Sequence, residues 1–177
     1  MTQSTSAMLT ELREEAATTK RVLERVPSDK LSWRPHAKSM SLGQLALHVA
    51  AIPGNLTKLT QLDGFEASQA NFSPPQPKDL SEIQTALEQS VSSAEEYLEG
   101  MADTFASASW RLTMRGKELF SMPRITVLRS IMLNHWYHHR GQLSVYLRLL
   151  DVPVPVIYGR MLTRTRSDRA GFRAHHE

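Results

Sequence analysis

Apolar residues recur at intervals of three and four along most of the chain, a period that predicts amphipathic helices. The predicted helices cover residues 6–26, 41–62, about 79–99 and about 124–150. Pro27 follows the first helix and Gly100 closes the third, as expected of residues that end helices. The interval before the third helix contains three prolines and no period, so a long and partly extended surface connection is predicted there.

The pattern changes between the third and fourth helices. In the segment SASWRLTMRGKELFSMP (107–123), apolar and polar residues alternate on both sides of a turn predicted near Arg115 and Gly116. The sequence therefore predicts an all-α protein, a four-helix bundle with a small hairpin or extended arm between helices 3 and 4.

Length and composition are those of one globular domain. A chain of 177 residues with 41% hydrophobic content can bury one continuous core without covalent links. There is no cysteine, which excludes disulfides, cysteine-based zinc sites and a cysteine nucleophile, and which agrees with a cytoplasmic location. The first 25 residues lack the apolar core of a signal peptide, and no run of about 18 uncharged apolar residues predicts a membrane span.

Positive charge is concentrated at the end of the chain. The net charge is only +3, and five arginines fall in residues 160–177. We therefore predict a domain over residues 1–159 and a basic C-terminal tail over 160–177. A basic tail without interleaved aromatic residues is most often a solvated terminus, so nucleic acid is the least favoured partner.

Three of the seven histidines lie in the stretch MLNHWYHHRGQL (132–143). On a helix, His135 and His139 are about 40° apart around the axis and about 6 Å apart along it, which is a chelating spacing. Trp136 occupies the position of the glutamate base in the HExxH motif, so a metalloprotease is excluded. The inward stripe of this helix is predicted to be Leu128, Ile131, His135, His138 or His139, Gln142, Tyr146 and Leu149.

A fourth histidine, His48, lies in the apolar stripe of the second helix. Together with the pair on the last helix it would supply three neutral nitrogen ligands, a set that suits zinc, nickel or copper and leaves a position for water or substrate. A lone histidine on an apolar stripe is more often a core residue, so the prediction depends on all three meeting. His138 can replace His139 by spacing and is otherwise expected at the rim. Gln142 is expected to bond a ligand, a substrate or the backbone.

Three segments, taken together, resemble one known family. They are LSWRPHAKSMSLGQLALHVA (31–50), NHWYHHRGQLSVYLRLL (134–150) and VPVPVIYG (152–159), and they resemble the DinB family of damage-inducible, YfiT-like metal-dependent proteins. The resemblance implies an up-down four-helix bundle, often a homodimer, with one divalent metal ion held by His48, His135 and His139. Members of known activity include S-transferases and isomerases that use low-molecular-weight thiols.

The resemblance and the histidines lead to one favoured function and several alternatives. The favoured function is a zinc- or nickel-dependent S-transferase that joins an external low-molecular-weight thiol to a small electrophilic substrate. A hydrolase using metal-bound water is the first alternative, and it would need a base, although the nearest acids in helix order are Glu118 and Asp151. The second is a non-catalytic, dimeric metal-binding module of a stress response.

Overall fold

The structure is a computed structural model that describes residues 3–70 and 73–159. The predicted basic tail, with His175 and His176, lies outside the described residues. The helices are α1 (Gln3–Leu23), α2 (Leu42–Thr60), α3 (Leu80–Glu99), the short α4 (Asp103–Ser107), α5 (Arg124–Val127) and α6 (Asn134–Leu149). Short 3-10 turns occur at Ser28–Lys30 and Ala67–Gln69.

A π-helical segment, Leu128–Leu133, joins α5 to α6. The backbone is right-handed helical at Leu128 and at Asn134, so the three pieces form one continuous helix, called here the C-terminal helix (124–149). Its bounds agree closely with the predicted fourth helix.

Side-chain caps fix where α2 and α3 begin. The Ser41 hydroxyl accepts a hydrogen bond from the Gln44 backbone N–H at 3.1 Å, and the Gln44 side-chain oxygen accepts one from the Ser41 N–H at 3.0 Å. This reciprocal pair satisfies two backbone donors that have no partner inside the helix. Asp79 caps α3 in a similar way by accepting from the Glu82 N–H at 2.9 Å.

The strands β1 (Gly64–Glu66), β2 (Ser109–Met114) and β3 (Lys117–Pro123) form a small sheet in the order β1-β2-β3. Strands β2 and β3 are the predicted hairpin, and they turn at Arg115 and Gly116, both of which have positive φ. Strand β1 pairs parallel to β2 and comes from the connection predicted as partly extended. The chain is thus mainly helical with a small three-stranded sheet, and the all-α prediction omitted β1.

The long helices pack around one apolar core. Helix α3 lies against both α1 and α2, and α2 also packs against the C-terminal helix, chiefly α6 and the π-helical segment. Arg124 joins this core to the sheet, because its buried guanidinium donates to the carbonyls of Thr60, Leu62 and Ser109 around the end of α2 and the start of β2. In the part of the chain that the structure describes, no helix is long and apolar enough to cross a membrane.

After Leu128, the buried positions of the C-terminal helix mostly lie one residue later in the sequence than the predicted inward positions. From Leu128 onward, the residues that are at most 1% exposed are Leu128, Met132, Leu133, Trp136, Arg140, Leu143 and Leu147. The predicted stripe was wrong because it assumed uniform α-helix. An i→i+5 turn holds one residue more than an α turn. Each residue beyond it therefore lies about 100° around the helix axis from the position that a uniform α-helix would give it.

Candidate metal centre

His48 of α2 and the pair His135 and His139 of α6 come together in the structure. One ring nitrogen of each lies within 4.8 Å of the others, and the Nε2 atoms of His48 and His135 are 3.1 Å apart. The ring centroid of His139 is 4.5 Å from that of His48 and 4.4 Å from that of His135. The grouping is therefore the predicted one, with His139 and not His138 as its third member.

A buried hydrogen bond beside the histidines sets how α6 faces α2. The indole Nε1–H of Trp136 donates to the Val49 carbonyl at 2.8 Å, and the Trp136 side chain has no exposed surface. Trp136 directly follows His135 and Val49 directly follows His48. Because both partners are buried, rotating either helix would break this bond and bury an unsatisfied polar group.

The three histidines lie at the flank of the core, not on the inward stripes of their helices as predicted. Each is half-buried, because the buried stripe of α6 passes through the neighbouring Trp136 and Arg140. Burial, together with the neighbouring histidines, lowers the pKa of His48 and of His135 to about 4. All three imidazoles are neutral near pH 7, the form in which histidine binds a metal ion.

Two exposed side chains, Gln142 and His138, lie beside His139. The Gln142 Oε1 atom lies 2.7 Å from His139 Nδ1, so Gln142 contacts a member of the group, which is one of the alternatives that the sequence left open. Burial lowers the pKa of His139 too, whereas its hydrogen bond to Gln142 acts in the opposite direction. His138 is exposed at the rim, with its ring centroid 4.9 Å from that of His139.

Sequence reasoning missed the role of Arg140, which is not part of the predicted inward stripe. The Arg140 guanidinium is buried, makes an ion pair of 2.5 Å with Glu15 of α1 and donates to the Thr19 hydroxyl at 3.1 Å. It also donates to the Tyr158 hydroxyl, near the end of the described chain. Arg140 therefore fixes α6 to α1. Its spacing of four residues from the large apolar Trp136 is the sequence feature that could have indicated its burial.

The donor set fits a divalent transition-metal ion. Zinc bound to imidazole nitrogens at 2.0–2.1 Å places those nitrogens roughly 3.3 Å apart in a tetrahedral site. The separation of 3.1 Å between His48 Nε2 and His135 Nε2 is close to that value. No aspartate or glutamate joins the group within residues 3–70 and 73–159.

Comparison with known proteins agrees with the fold and with the sequence motifs. The uncharacterized protein YrdA of Bacillus subtilis (strain 168) is 28% identical over 145 residues, which is 82% of each chain. A crystal structure of a DinB-like protein from Bacillus cereus ATCC 10987 superposes with a TM-score of 0.64 at 23% identity, covering 85% of this chain and 95% of that one. The DinB-like protein YjoA from Bacillus subtilis gives 0.66 at 18% identity, covering 88% and 99%.

These two structural likenesses establish a shared fold. The family assignment comes from the sequence, because the DinB family model matches residues 1–170, nearly the whole chain. The chain belongs to the DinB family.

Proposed function

We propose that the chain is a metal-dependent enzyme whose divalent ion is held by His48, His135 and His139. The observation that carries the proposal is the meeting of three ligand nitrogens, from two helices, within 4.8 Å of one another. Half-burial keeps these imidazoles neutral, and partial exposure leaves the group accessible to a small molecule.

Zinc or nickel is the ion that these ligands suit best. Imidazole nitrogen prefers such metals, whereas magnesium and calcium prefer oxygen ligands. Three protein ligands leave one position for another molecule, as in catalytic zinc sites. When bound, such an ion lowers the pKa of a water or thiol that contacts it.

The reaction that we propose is transfer of an external low-molecular-weight thiol to a small electrophile. The thiol loses its proton to solvent, a sulfur–carbon bond forms, and the leaving group departs from that carbon. The chain has no cysteine, which agrees with a thiol that comes from solution. One observation supports this reaction over metal-assisted hydrolysis. In the described part of the chain no carboxylate joins the histidines, so a hydrolase would have no carboxylate base at the ion.

Elemental analysis of untagged protein tests the metal centre. We expect near-stoichiometric zinc or nickel in the wild type and its loss in His48→Ala and in His139→Ala. His36→Ala is the matched control, because His36 is exposed and lies in a loop outside the group. Folded wild-type protein that holds no metal and cannot be loaded with zinc or nickel would overturn the proposal.

The reaction is tested with a panel of small thiols and an electrophile that releases a chromophoric leaving group. We expect turnover that needs both thiol and metal and that disappears in His139→Ala. A metal-loaded protein with no turnover across the panel would instead indicate the non-catalytic metal-binding module. Equal turnover without any thiol would indicate hydrolysis.

Two further proposals concern the arrangement of the four long helices and the number of chains in the assembly. We propose that α1, α2, α3 and the C-terminal helix form an up-down four-helix bundle, supported by the packing of α3 on α1 and α2 and of α2 on the C-terminal helix. A homodimer is expected from the family resemblance. Sedimentation of untagged protein would distinguish the dimer from a monomer.

A further inference from the structure

We propose that Gln142 is a positioning residue, which accepts the Nδ1 proton of His139 and so leaves the Nε2 atom of His139 unprotonated for the metal centre. The inference rests on the proposed metal centre only for its function, because the hydrogen bond itself joins two side chains of α6. It adds a fourth side chain to a site otherwise described by three histidines.

The contact follows from helix geometry. Gln142 is three residues after His139, so the two side chains lie on the same face of α6. Their closest polar atoms are Gln142 Oε1 and His139 Nδ1, 2.7 Å apart. An amide oxygen can only accept a hydrogen bond, so the Nδ1 atom has to carry the proton.

The position of that proton decides which nitrogen can bind a metal ion. A neutral imidazole has one N–H and one bare nitrogen, so a proton on Nδ1 leaves Nε2 bare. The hydrogen bond made by one ring nitrogen sets which nitrogen is available at the other side of the ring. If the amide were turned to present its NH₂ group, Nδ1 would be the bare nitrogen and the proton would lie on Nε2. The observed orientation is the one compatible with metal binding through Nε2.

His48 and His135 are held differently. Their Nε2 atoms face each other at 3.1 Å, so one of them donates and the other accepts. Within residues 3–70 and 73–159, neither ring makes a hydrogen bond through Nδ1 to another side chain or to the backbone. His139 is thus the one member of the group, in this part of the chain, whose outer nitrogen has a partner. Gln142 is the side chain that prepares it.

Metal-binding proteins commonly use such a partner for each histidine ligand. A carboxylate, carbonyl or water that accepts the outer N–H orients the ring and raises the basicity of the ligating nitrogen, and its loss typically lowers metal affinity about 10–100-fold. The side-chain amide of Gln142 is chemically equivalent to such a carbonyl. We therefore expect Gln142 to contribute to zinc affinity without touching zinc.

The tautomer is tested first, on metal-free protein. Long-range ¹H–¹⁵N spectra distinguish Nδ1–H from Nε2–H imidazoles, and the spectrum of His139→Ala assigns the His139 signals. We expect Nδ1–H at His139 in the wild type and in Gln142→Glu, which keeps an acceptor, and loss of this preference in Gln142→Leu. An Nε2–H tautomer of His139 in the wild type would overturn the proposal. An unchanged preference for Nδ1–H in Gln142→Leu would overturn it too.

Zinc affinity is tested second, by competition with a chromophoric chelator. We expect Gln142→Leu to bind zinc about 10–100-fold more weakly than wild type. Gln142→Glu should bind at least as tightly. Gln89→Leu is the matched control, since Gln89 is an exposed glutamine of α3, and its affinity should not change. Equal zinc affinity in Gln142→Leu and wild type would contradict the positioning role.

The two measurements separate this inference from the proposed function. If wild-type protein binds no zinc but its His139 has the Gln142-dependent tautomer, the metal centre fails and the positioning contact stands. If zinc binds tightly and neither the tautomer nor the affinity responds to Gln142, the metal centre stands and the positioning role fails.

Discussion

The chemistry of single residues in this protein depends on small differences in burial. His135 and Trp136 are adjacent in sequence, yet the indole is fully buried while the imidazole is half exposed. Half-burial lowers the pKa of the imidazole and still leaves one side of the group open. A fully buried histidine group would be equally neutral, but a substrate could not reach it.

Stability should respond to pH through the same histidines. The pKa of His48 and of His135 is about 4 in the folded protein, against about 6.5 in an unfolded chain. Between these values the unfolded state binds more protons, so the free energy of unfolding rises with pH. The two histidines make their full contribution to the free energy of unfolding above about pH 6.5. That contribution is lost as the pH falls toward about 4, and it does not change further at lower pH.

Urea unfolding of metal-free protein at several pH values measures this effect. The variant His48→Gln removes one of the two groups and should show a smaller change in unfolding free energy across that pH range. Identical pH dependences in the variant and the wild type would contradict the assignment.

The buried ion pair of Arg140 should be far more costly to break than an exposed one. Arg140→Ala leaves the carboxylate of Glu15, whose side chain is 13% exposed, without its cation. Breaking a buried pair in this way typically lowers the free energy of unfolding by about 3–5 kcal/mol. Arg13→Ala removes exposed pairs with Glu95 and Glu99 and should lower the free energy of unfolding far less. Similar losses in both variants, by urea unfolding, would show that burial is not the cause.

At the scale of elements, the π-helical segment is best described as one extra residue in an otherwise regular helix. Removing one residue between Leu128 and Met132 would restore the α-helical spacing of the buried residues on both sides. Both ends are held in place, because Arg124 is bonded to the end of α2 and Trp136 to Val49. The π turn therefore accommodates the extra residue within the segment, and the buried faces on its two sides stay aligned.

Deletion of Ser130, an exposed residue of this segment, tests that description. We expect the deletion to yield a regular helix, to keep a cooperative unfolding transition and to retain zinc binding. Deletion of Val145, an exposed residue in the regular part of α6, is the control. It should turn Leu147 away from the core by about 100° and cost much more stability. Comparable losses in the two deletion variants, by chemical denaturation, would contradict the extra-residue description.

The elements also show how far sequence reasoning reaches. Periodicity, prolines and capping residues predicted the long helices and the hairpin, because these signals are local. The orientation of α6 could not be predicted in this way, since nothing near Ser130 distinguishes a π turn from an α turn in the sequence. The histidines were still predicted correctly as a group, because the π turn lies before the pair and leaves the spacing from His135 to His139 intact. Strand β1 was omitted because its three residues pair with a strand that lies more than 40 residues later.

At the scale of the whole molecule, a bound ion would link two helices that are distant in sequence. His48 and His135 are 87 residues apart, and a ligand that binds only the folded state stabilises it by about 2.7 kcal/mol at 100 times its Kd. For a chain of this size, that corresponds to a rise in Tm of about 5–11 °C. Thermal unfolding with and without zinc should show this rise in the wild type and not in His139→Ala. An equal rise in both would indicate that zinc binds elsewhere.

The hydrogen bond from Trp136 to Val49 gives the molecule an intrinsic optical probe. An indole that is fully buried and bonded to a backbone carbonyl has an emission spectrum distinct from that of an exposed one, and Trp136 is the residue next to His135. Nickel or copper bound by the neighbouring histidines would quench this fluorescence, whereas zinc, with its filled d shell, would quench it far less. In a variant whose other tryptophans, Trp33 and Trp110, are replaced by phenylalanine, occupancy of the site and the kind of ion that occupies it can therefore be followed by emission from Trp136.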